Sequence, residues 1–395
     1  MKIKQTQEAV LKAFREEIPS IYFSDKTPEE FNQYKVNMHF FYRDLMKFPT
    51  EIFQGKKLLD FGAGTGENTI YLENWGAECT LVEMNPDAHE IQKEVFKKYS
   101  INFEKNTFIN DSIYNFEQEG AFDIVHSRGV FAHTNDPDLA FKKLSNNLKE
   151  NGYLIYGDGN KSGNFQNMLQ RIAIFNYAQD WDKMVDVAEI LFKEDLDRSQ
   201  KFINRTRRSI IFDKWVVPRL TNPSVKEVLK WFKDNNLKFY NCYPNIIPNF
   251  IGDSLHHRPL LNILEMENLT LIPEAFWLIQ NKMDNDVLPN SYIGVEDFGD
   301  SLNKMTSLVD DINLNDELNL DEMINISETY VSKLSNIDLL NDLKTRTKTF
   351  HDELVSFVSC LQSKDVNDLK QLISSFKQLF RGSQGNRHID FIGYK

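Results

Sequence analysis

Cysteine is scarce: Cys79, Cys242 and Cys360 are the only three in 395 residues, and no two form a CxxC pair. A disulfide framework and a thiolate zinc site are both unsupported, and buried free thiols are expected. No window holds the ~18 consecutive apolar residues of a membrane span. The N-terminal stretch MKIKQTQEAVLKAFREEIP is charged throughout and lacks an apolar signal core. These absences argue against a membrane and for a cytoplasmic protein. There is no block of Lys and Arg to neutralise a phosphate backbone, and the formal charge is −12, so nucleic acid is not expected as a partner. His256 and His257 are adjacent, point in different directions on a strand or a helix, and have no Cys or Glu cluster at ligand spacing. No metal site is expected.

The chain does have 41% hydrophobic residues, enough for a full core. At roughly 100–200 residues per domain its length implies two domains or one enlarged domain. The acidic excess is local: Asp284 to Asp342 contains fourteen Asp and Glu against Lys304 and Lys333, and the remaining residues balance at 44 acids and 44 bases. Before about Pro248 strand and helix signals alternate; after it the pattern is helical. Apolar runs at Lys57–Phe61, Ala77–Asn85, Ile101–Asp111, Ala121–Ser127 and Gly152–Asp158 are separated by helical stretches such as Pro86–Tyr99 and Asp136–Glu150. That alternation predicts a parallel, doubly wound α/β sheet, Rossmann-like, with ligands at the carboxyl ends of its strands.

At the first such end stands LLDFGAGTGENTIYL, Leu58–Leu72, with Gly62, Gly64 and Gly66 in five positions. Glycine tolerates the positive φ of a tight strand-to-helix turn and lets backbone N–H groups approach a ligand closely. The spacing is GxGxG, with Asp60 ahead of it and Glu67 where a dinucleotide fingerprint would have its last Gly or Ala.

LDFGAGTG (Leu59–Gly66), LVEMNP (Leu81–Pro86), NDSIYNF (Asn110–Phe116) and FDIVHSRGVFAHTNDPDLAF (Phe122–Phe141) together resemble the motifs of the class I S-adenosylmethionine-dependent methyltransferases, in a bacterial branch acting on small molecules. The likeness covers about residues 50–160, and the stretch Phe212–Pro244 looks like the approach to the family's sixth strand. The resemblance implies a seven-stranded sheet and S-adenosylmethionine as cofactor. In that likeness the backbone of Gly62, Ala63 and Gly64 would meet the amino-acid part of the cofactor, near Asp60. Glu83 would accept hydrogen bonds from both ribose hydroxyls, a task for which two carboxylate oxygens are suited. Asp111 and Ser112 would flank the adenine, Met84 would pack on adenine or ribose, and Ser127 and Tyr42, with Tyr22, would be further cofactor contacts. Acceptor chemistry would fall to residues after the fourth and fifth strands: His126, His133 and Asp158 as candidate catalytic groups, and Arg128 for an anionic acceptor.

The acceptor itself stays open between a hydroxyl or amine of a small metabolite or sugar-like compound and a protein or other macromolecule, with a non-catalytic binder of the cofactor as a third reading. Leu343, Phe350, Leu354, Phe357 and Leu361, then Val366, Leu369, Leu372, Ile373, Phe376 and Leu379, recur at helical spacing and predict two amphipathic helices joined near Ser363–Lys364. Their apolar stripe needs a cover, either the core, as a lid, or a second subunit in a homodimer. The expected organisation is a helical cap over the cofactor in 1–50, the methyltransferase core in 51–250, a mostly helical acidic insertion or lid in 251–383, and a terminal strand in 384–395 returning to the sheet.

Overall fold

The computed structural model describes residues 2–20, 23, 26–202, 205–246, 263–265, 267–280, 295–310, 312–337, 341–362, 365–381 and 387–395. Tyr22, His256, His257 and the Ser363–Lys364 junction lie outside the described residues. The chain divides into two compact units, Met1–Asp158 with Leu229–Asn245 and Ile389–Lys395, and Gly159–Val228 with Ile246–His388.

The first unit holds a seven-stranded sheet. Strands β1 (Lys57–Phe61), β2 (Glu78–Val82), β3 (Thr107–Ile109), β4 (Phe122–Arg128), β5 (Leu148–Gly159), β6 (Lys238–Tyr243) and β7 (His388–Tyr394) lie in the order β3-β2-β1-β4-β5-β7-β6. Strands β1 to β5 pair in parallel, and β6 runs antiparallel to β7. Leu58, Leu59, Asp60 and Phe61 of β1 are all buried, as in a parallel strand covered on both faces. The last strand thus sits between the fifth and sixth, and Lys395 anchors its end by donating from Nζ to the carbonyls of Ser145 at 2.8 Å and Leu148 at 3.0 Å.

Helices α1 (Lys2–Glu16), α2 (Pro28–Phe40), α3 (Ile70–Asn74), α4 (Pro86–Tyr99) and α5 (Pro137–Asn146) complete the unit. Their starts are written locally: Thr27, Asn85 and Asp136 cap α2, α4 and α5, each followed by proline in the first turn. The cap of α5, Asp136, accepts from the Leu139 amide at 2.9 Å.

The second unit is helical: α6 (Lys161–Tyr177), α7 (Trp181–Phe202), α8 (Arg207–Ile211), then, beyond α9 (Val225–Asp234), α10 (Leu271–Leu278), α11 (Val295–Val309), α12 (Leu320–Ser335), α13 (Asn341–Cys360) and α14 (Val366–Ser375). Every residue of α6 from Ser162 to Phe175 is buried. A helix buried all round needs neighbours on every side, and the C-terminal helices supply them: Gln166 donates to the Leu278 carbonyl at 3.0 Å and Phe165 meets Phe350 with ring centroids 6.1 Å apart. The second unit begins at Gly159. The stripe on α13 and α14 is covered inside this unit, since Phe350, Leu354, Phe357, Leu369 and Ile373 are buried there. Buried Arg171 is satisfied by the carbonyls of Trp215 at 2.6 Å, Ile312 at 3.2 Å and Pro218 at 3.3 Å. Among the described residues no helix is long and apolar enough to cross a membrane.

Glu274 on α10 is sealed in this unit, accepting from Ser162 at 3.1 Å and Thr270 at 3.3 Å, and burial pushes its carboxyl up to about 7. A carboxyl raised in the folded state gives stability that is present below its unfolded pKa and lost as pH rises to the folded value, here from 4.5 to about 7. Glu274→Gln keeps a hydrogen-bonding amide and removes that loss, so it should stabilise the protein by on the order of 3 kcal/mol above neutral pH and change little in acid. Thermal unfolding across pH reads this directly, and a variant no more stable than wild type in base would refute it.

Candidate functional site

The turn after β1 is built as its glycines require. Gly62, Gly64 and Gly66 have φ of +80°, +54° and +79°. The amides of Gly62 and Ala63 donate to the Val82 carbonyl at 2.9 and 3.1 Å, which ties the loop to the end of β2. A Cβ at Gly62 would meet both methyls of Val130 at 2.6 Å, whereas at Gly64 the nearest atom would be the Ser20 hydroxyl at 3.4 Å. A Cβ at Gly64 would therefore make only ordinary contact, and the strain of a substitution there comes from φ.

Glu83 stands one residue beyond β2. Its Oε2 accepts from the Gly64 amide at 2.8 Å and its Oε1 from the Asn85 amide at 2.7 Å. Burial raises this carboxyl above its ordinary value, and hydrogen bonds from the amides of Asn85, Gly64 and Met84 partly offset that. Met84 beside it is half-buried. Asp111 is half-buried and its Oδ1 accepts from the Ser112 amide at 2.7 Å and Asn115 at 2.8 Å, while the Ser112 hydroxyl accepts from Gln7 of α1 and from the Tyr114 amide. Helix α1 reaches across the carboxyl ends of three strands: Gln7 meets Ser112, the carbonyl of Phe14 accepts from Asn85 at 3.1 Å, and the Phe14 ring meets His133 edge-on at 4.9 Å.

Four expected site residues turn inward. Asp60 is 2% exposed; its Oδ1 is 2.8 Å from His126 Nδ1 and its Oδ2 accepts from the Thr69 hydroxyl. His126, with no exposed surface, has its other ring nitrogen 3.4 Å from the hydroxyl of Tyr42, itself fully buried in a π-helical turn at Phe41–Leu45. Burial pushes the Tyr42 phenol well above its ordinary value. The Ser127 hydroxyl is buried and donates to the Phe61 carbonyl at 2.8 Å. These side chains brace the loop from below.

Arg128 is committed too: it forms a bidentate pair with Asp390 of β7, at 2.5 and 3.0 Å, donates to Asn68 at 3.3 Å and lies 5.1 Å from the Phe41 ring. It is not free to receive an anionic acceptor. Asp158, at the end of β5, is buried and accepts from the Ala132 amide at 3.0 Å, which draws the Phe131–His133 turn and β5 together. His133 is half-buried. Sequence reasoning missed Asn85, Thr69, Gln7 and Asp390. Asn85 had a signal, an N-cap before Pro86; Asp390 had none.

The residues suit a nucleoside carrying an amino-acid tail. A glycine turn offers backbone at close range, a Cβ at Gly64 would take up part of that space, and Glu83 presents a buried carboxylate that accepts from the loop amide of Gly64 and from Asn85. Fold and site together define an α/β protein that gathers a glycine turn and a buried acid at the carboxyl ends of parallel strands. Residues 31–190 match the methyltransferase domain family. It is 24% identical over 163 residues to the mitochondrial ubiquinone biosynthesis O-methyltransferase of Schizosaccharomyces pombe, an alignment covering 40% of this chain and 58% of that one. The chain thus spans about half the length of the curated relatives it matches, 58% and 47% for two of them. Among solved structures, magnesium protoporphyrin IX methyltransferase from Synechocystis is 13% identical, with 54% of this chain and 75% of that one covered and a TM-score of 0.33. An S-adenosylmethionine-dependent methyltransferase from Clostridium acetobutylicum is 18% identical, with 35% and 52% covered and a TM-score of 0.26.

Removing His126 should be felt in stability. His126→Leu leaves the buried Asp60 carboxylate without one partner, at a cost of roughly 2–4 kcal/mol. Denaturant unfolding measures it, and a wild-type midpoint would show that the pair does not brace the loop.

Proposed function

We propose that the chain transfers the methyl group of S-adenosylmethionine to a small-molecule acceptor. The observation that carries this reading is the bond between Glu83 and the Gly64 amide, which joins the ribose-type carboxylate and the glycine turn in one site. Glu83 would hold the ribose hydroxyls, the backbone of Gly62, Ala63 and Gly64 the amino-acid part, and Asp111, Ser112 and Met84 the adenine. The bound sulfonium supplies an activated methyl group, so the protein has to orient a nucleophile, exclude water and, for a hydroxyl or amine, take up a proton. His133 and Asp158, at the ends of β4 and β5, are the groups we assign to the acceptor side. The relative from Schizosaccharomyces pombe is named for O-methylation, which favours a hydroxyl as the acceptor atom.

Gly64→Val, strained at φ +54°, and Glu83→Gln should each weaken S-adenosylhomocysteine binding without unfolding the protein. For Glu83→Gln the loss of charge-assisted hydrogen bonds worth about 1.5–3 kcal/mol corresponds to ~10–100-fold. Only the ionised carboxylate accepts from both hydroxyls, so wild-type affinity should fall as pH drops through the raised Glu83 pKa, and Glu83→Gln should flatten that dependence. Calorimetric titration decides both points; wild-type affinity in the two variants would sink the assignment. Transfer of labelled methyl into a metabolite extract, with mass identification of the product, tests the acceptor: label recovered only in macromolecules would replace the small-molecule reading.

A further inference from the structure

The helical unit buries more positive charge than it neutralises at one place. Asp195, on α7 past a break in helical geometry at Phe192, is 3% exposed. Its Oδ2 accepts from Gln170 of α6 at 2.8 Å and lies 3.2 Å from Lys214 Nζ and 3.5 Å from Arg387 Nη2. Arg198, one turn along α7, adds a third cation to the same electrostatic neighbourhood and donates from Nη2 to the Phe380 carbonyl at 3.2 Å. Lys214 sits in a π-helical turn, Phe212–Val216, a backbone irregularity common at functional sites.

Three cations thus surround one carboxylate, and their donors are not used up. Arg198 Nε and Arg387 Nε are buried and have no hydrogen-bond partner among the described residues, and the buried Lys214 Nζ has Asp195 at 3.2 Å and the Trp215 ring at 4.3 Å. Buried unpaired donors and excess buried charge are both costly, so a fold keeps them where something else completes them. Arg171, in the same unit, shows the contrast: its guanidinium is satisfied by three backbone carbonyls.

We propose that Lys214, Arg387 and Arg198 form an oxyanion-binding site that takes a phosphate or carboxylate group of a small molecule. Guanidinium forks and an ammonium around a common point suit such a group. Asp195 then holds the cations together. Burial alone would raise its carboxyl, but Lys214 and Arg387 hold it below the usual carboxylate range. Burial likewise pushes the Lys214 amine down to about 7 against the pull of Asp195, with Arg387 and Arg198 adding to the fall. A bound anion favours the protonated amine, so affinity should decline as pH rises through about 7. This site is independent of methyl transfer, and its test uses neither S-adenosylmethionine nor turnover.

The full-length protein is titrated calorimetrically with inorganic phosphate and, separately, with malonate at constant ionic strength set by chloride. Malonate, whose own charge is constant near neutrality, also serves for the pH series. Saturable binding of at least one anion is expected, weakened tenfold or more in Lys214→Met and in Arg387→Gln, and unchanged in Lys183→Gln, which removes an exposed cation of the same unit. The stronger of the two probes separates a phosphate from a carboxylate ligand. Asp195→Asn gives the opposite sign: it should lose thermal stability in chloride, recover it in phosphate or malonate, and bind the anion more tightly than wild type. Absence of saturable binding for both anions, wild-type binding in Lys214→Met, or an Asp195→Asn variant no more responsive than wild type would each overturn the site.

Discussion

A carboxylate buried beneath a glycine turn has to be satisfied by the protein around it, and in the first unit that carboxylate is Asp60. From the middle of the sheet it takes a hydrogen bond from Thr69 at the head of α3 and pairs with His126 on the adjacent β4, and His126 in turn meets Tyr42 from the N-terminal segment. One residue therefore ties together β1, β4, the helix after the loop and the π-helical turn before the sheet. Leaving any of these polar atoms unpaired in the interior would cost about 1–3 kcal/mol, so the set holds as a unit. The loop above inherits that rigidity: its glycines occupy positive φ between a braced strand end and a braced helix start, and its first amides are pinned to β2. A backbone that is to meet a ligand at close range gains from being held in shape beforehand.

This arrangement changes what the acid ahead of the glycines does. Spacing alone places Asp60 near a cofactor, and spacing is a property of the chain, whereas orientation is set by what lies underneath. Once Thr69 and His126 occupy its two oxygens, Asp60 contributes to the site through the shape of the loop, and Glu83 is left as the carboxylate bonded to the loop amide itself.

The parts legible in the sequence were those in which cause and consequence lie close along the chain. Strand, glycine turn, helix and the acid ending the next strand fall within about one βαβ unit, so Gly62, Gly64 and Glu83 could be placed from their spacing. Burial of His126, Ser127 and Asp60 was not legible because β4 is covered on both faces, Phe122 and Ile124–Ser127 all being buried, and no alternation marks which side chains face a ligand. Arg128 and Asp390 are 262 residues apart, and nothing local in either announces the other. The depth of helix α6 is not legible for a different reason: Asn164, Gln166, Asn167, Gln170 and Arg171 are residue types of a solvated face, yet each is buried, because polar residues belong in an interior where backbone carbonyls and carboxylates accept from their donors.

The same unit separates its charges by depth. The acids that carry the net charge of the chain are largely outside, with Glu296, Asp297, Asp300, Asp316, Glu317, Asp321, Glu322 and Glu328 all exposed, while Lys214, Arg198 and Arg387 lie inward around Asp195. Water and salt screen the outer charges within about 8–10 Å, but they screen the inner ones far less, so the two sets do not cancel where it matters. Any anion approaching this surface meets repulsion first and attraction only at short range. An acidic exterior therefore gives no long-range steering toward the buried cations; selection at that point falls to the fit of donors around the anion and to the desolvation of its oxygens, both of which reward a group of one shape over bulk negative charge.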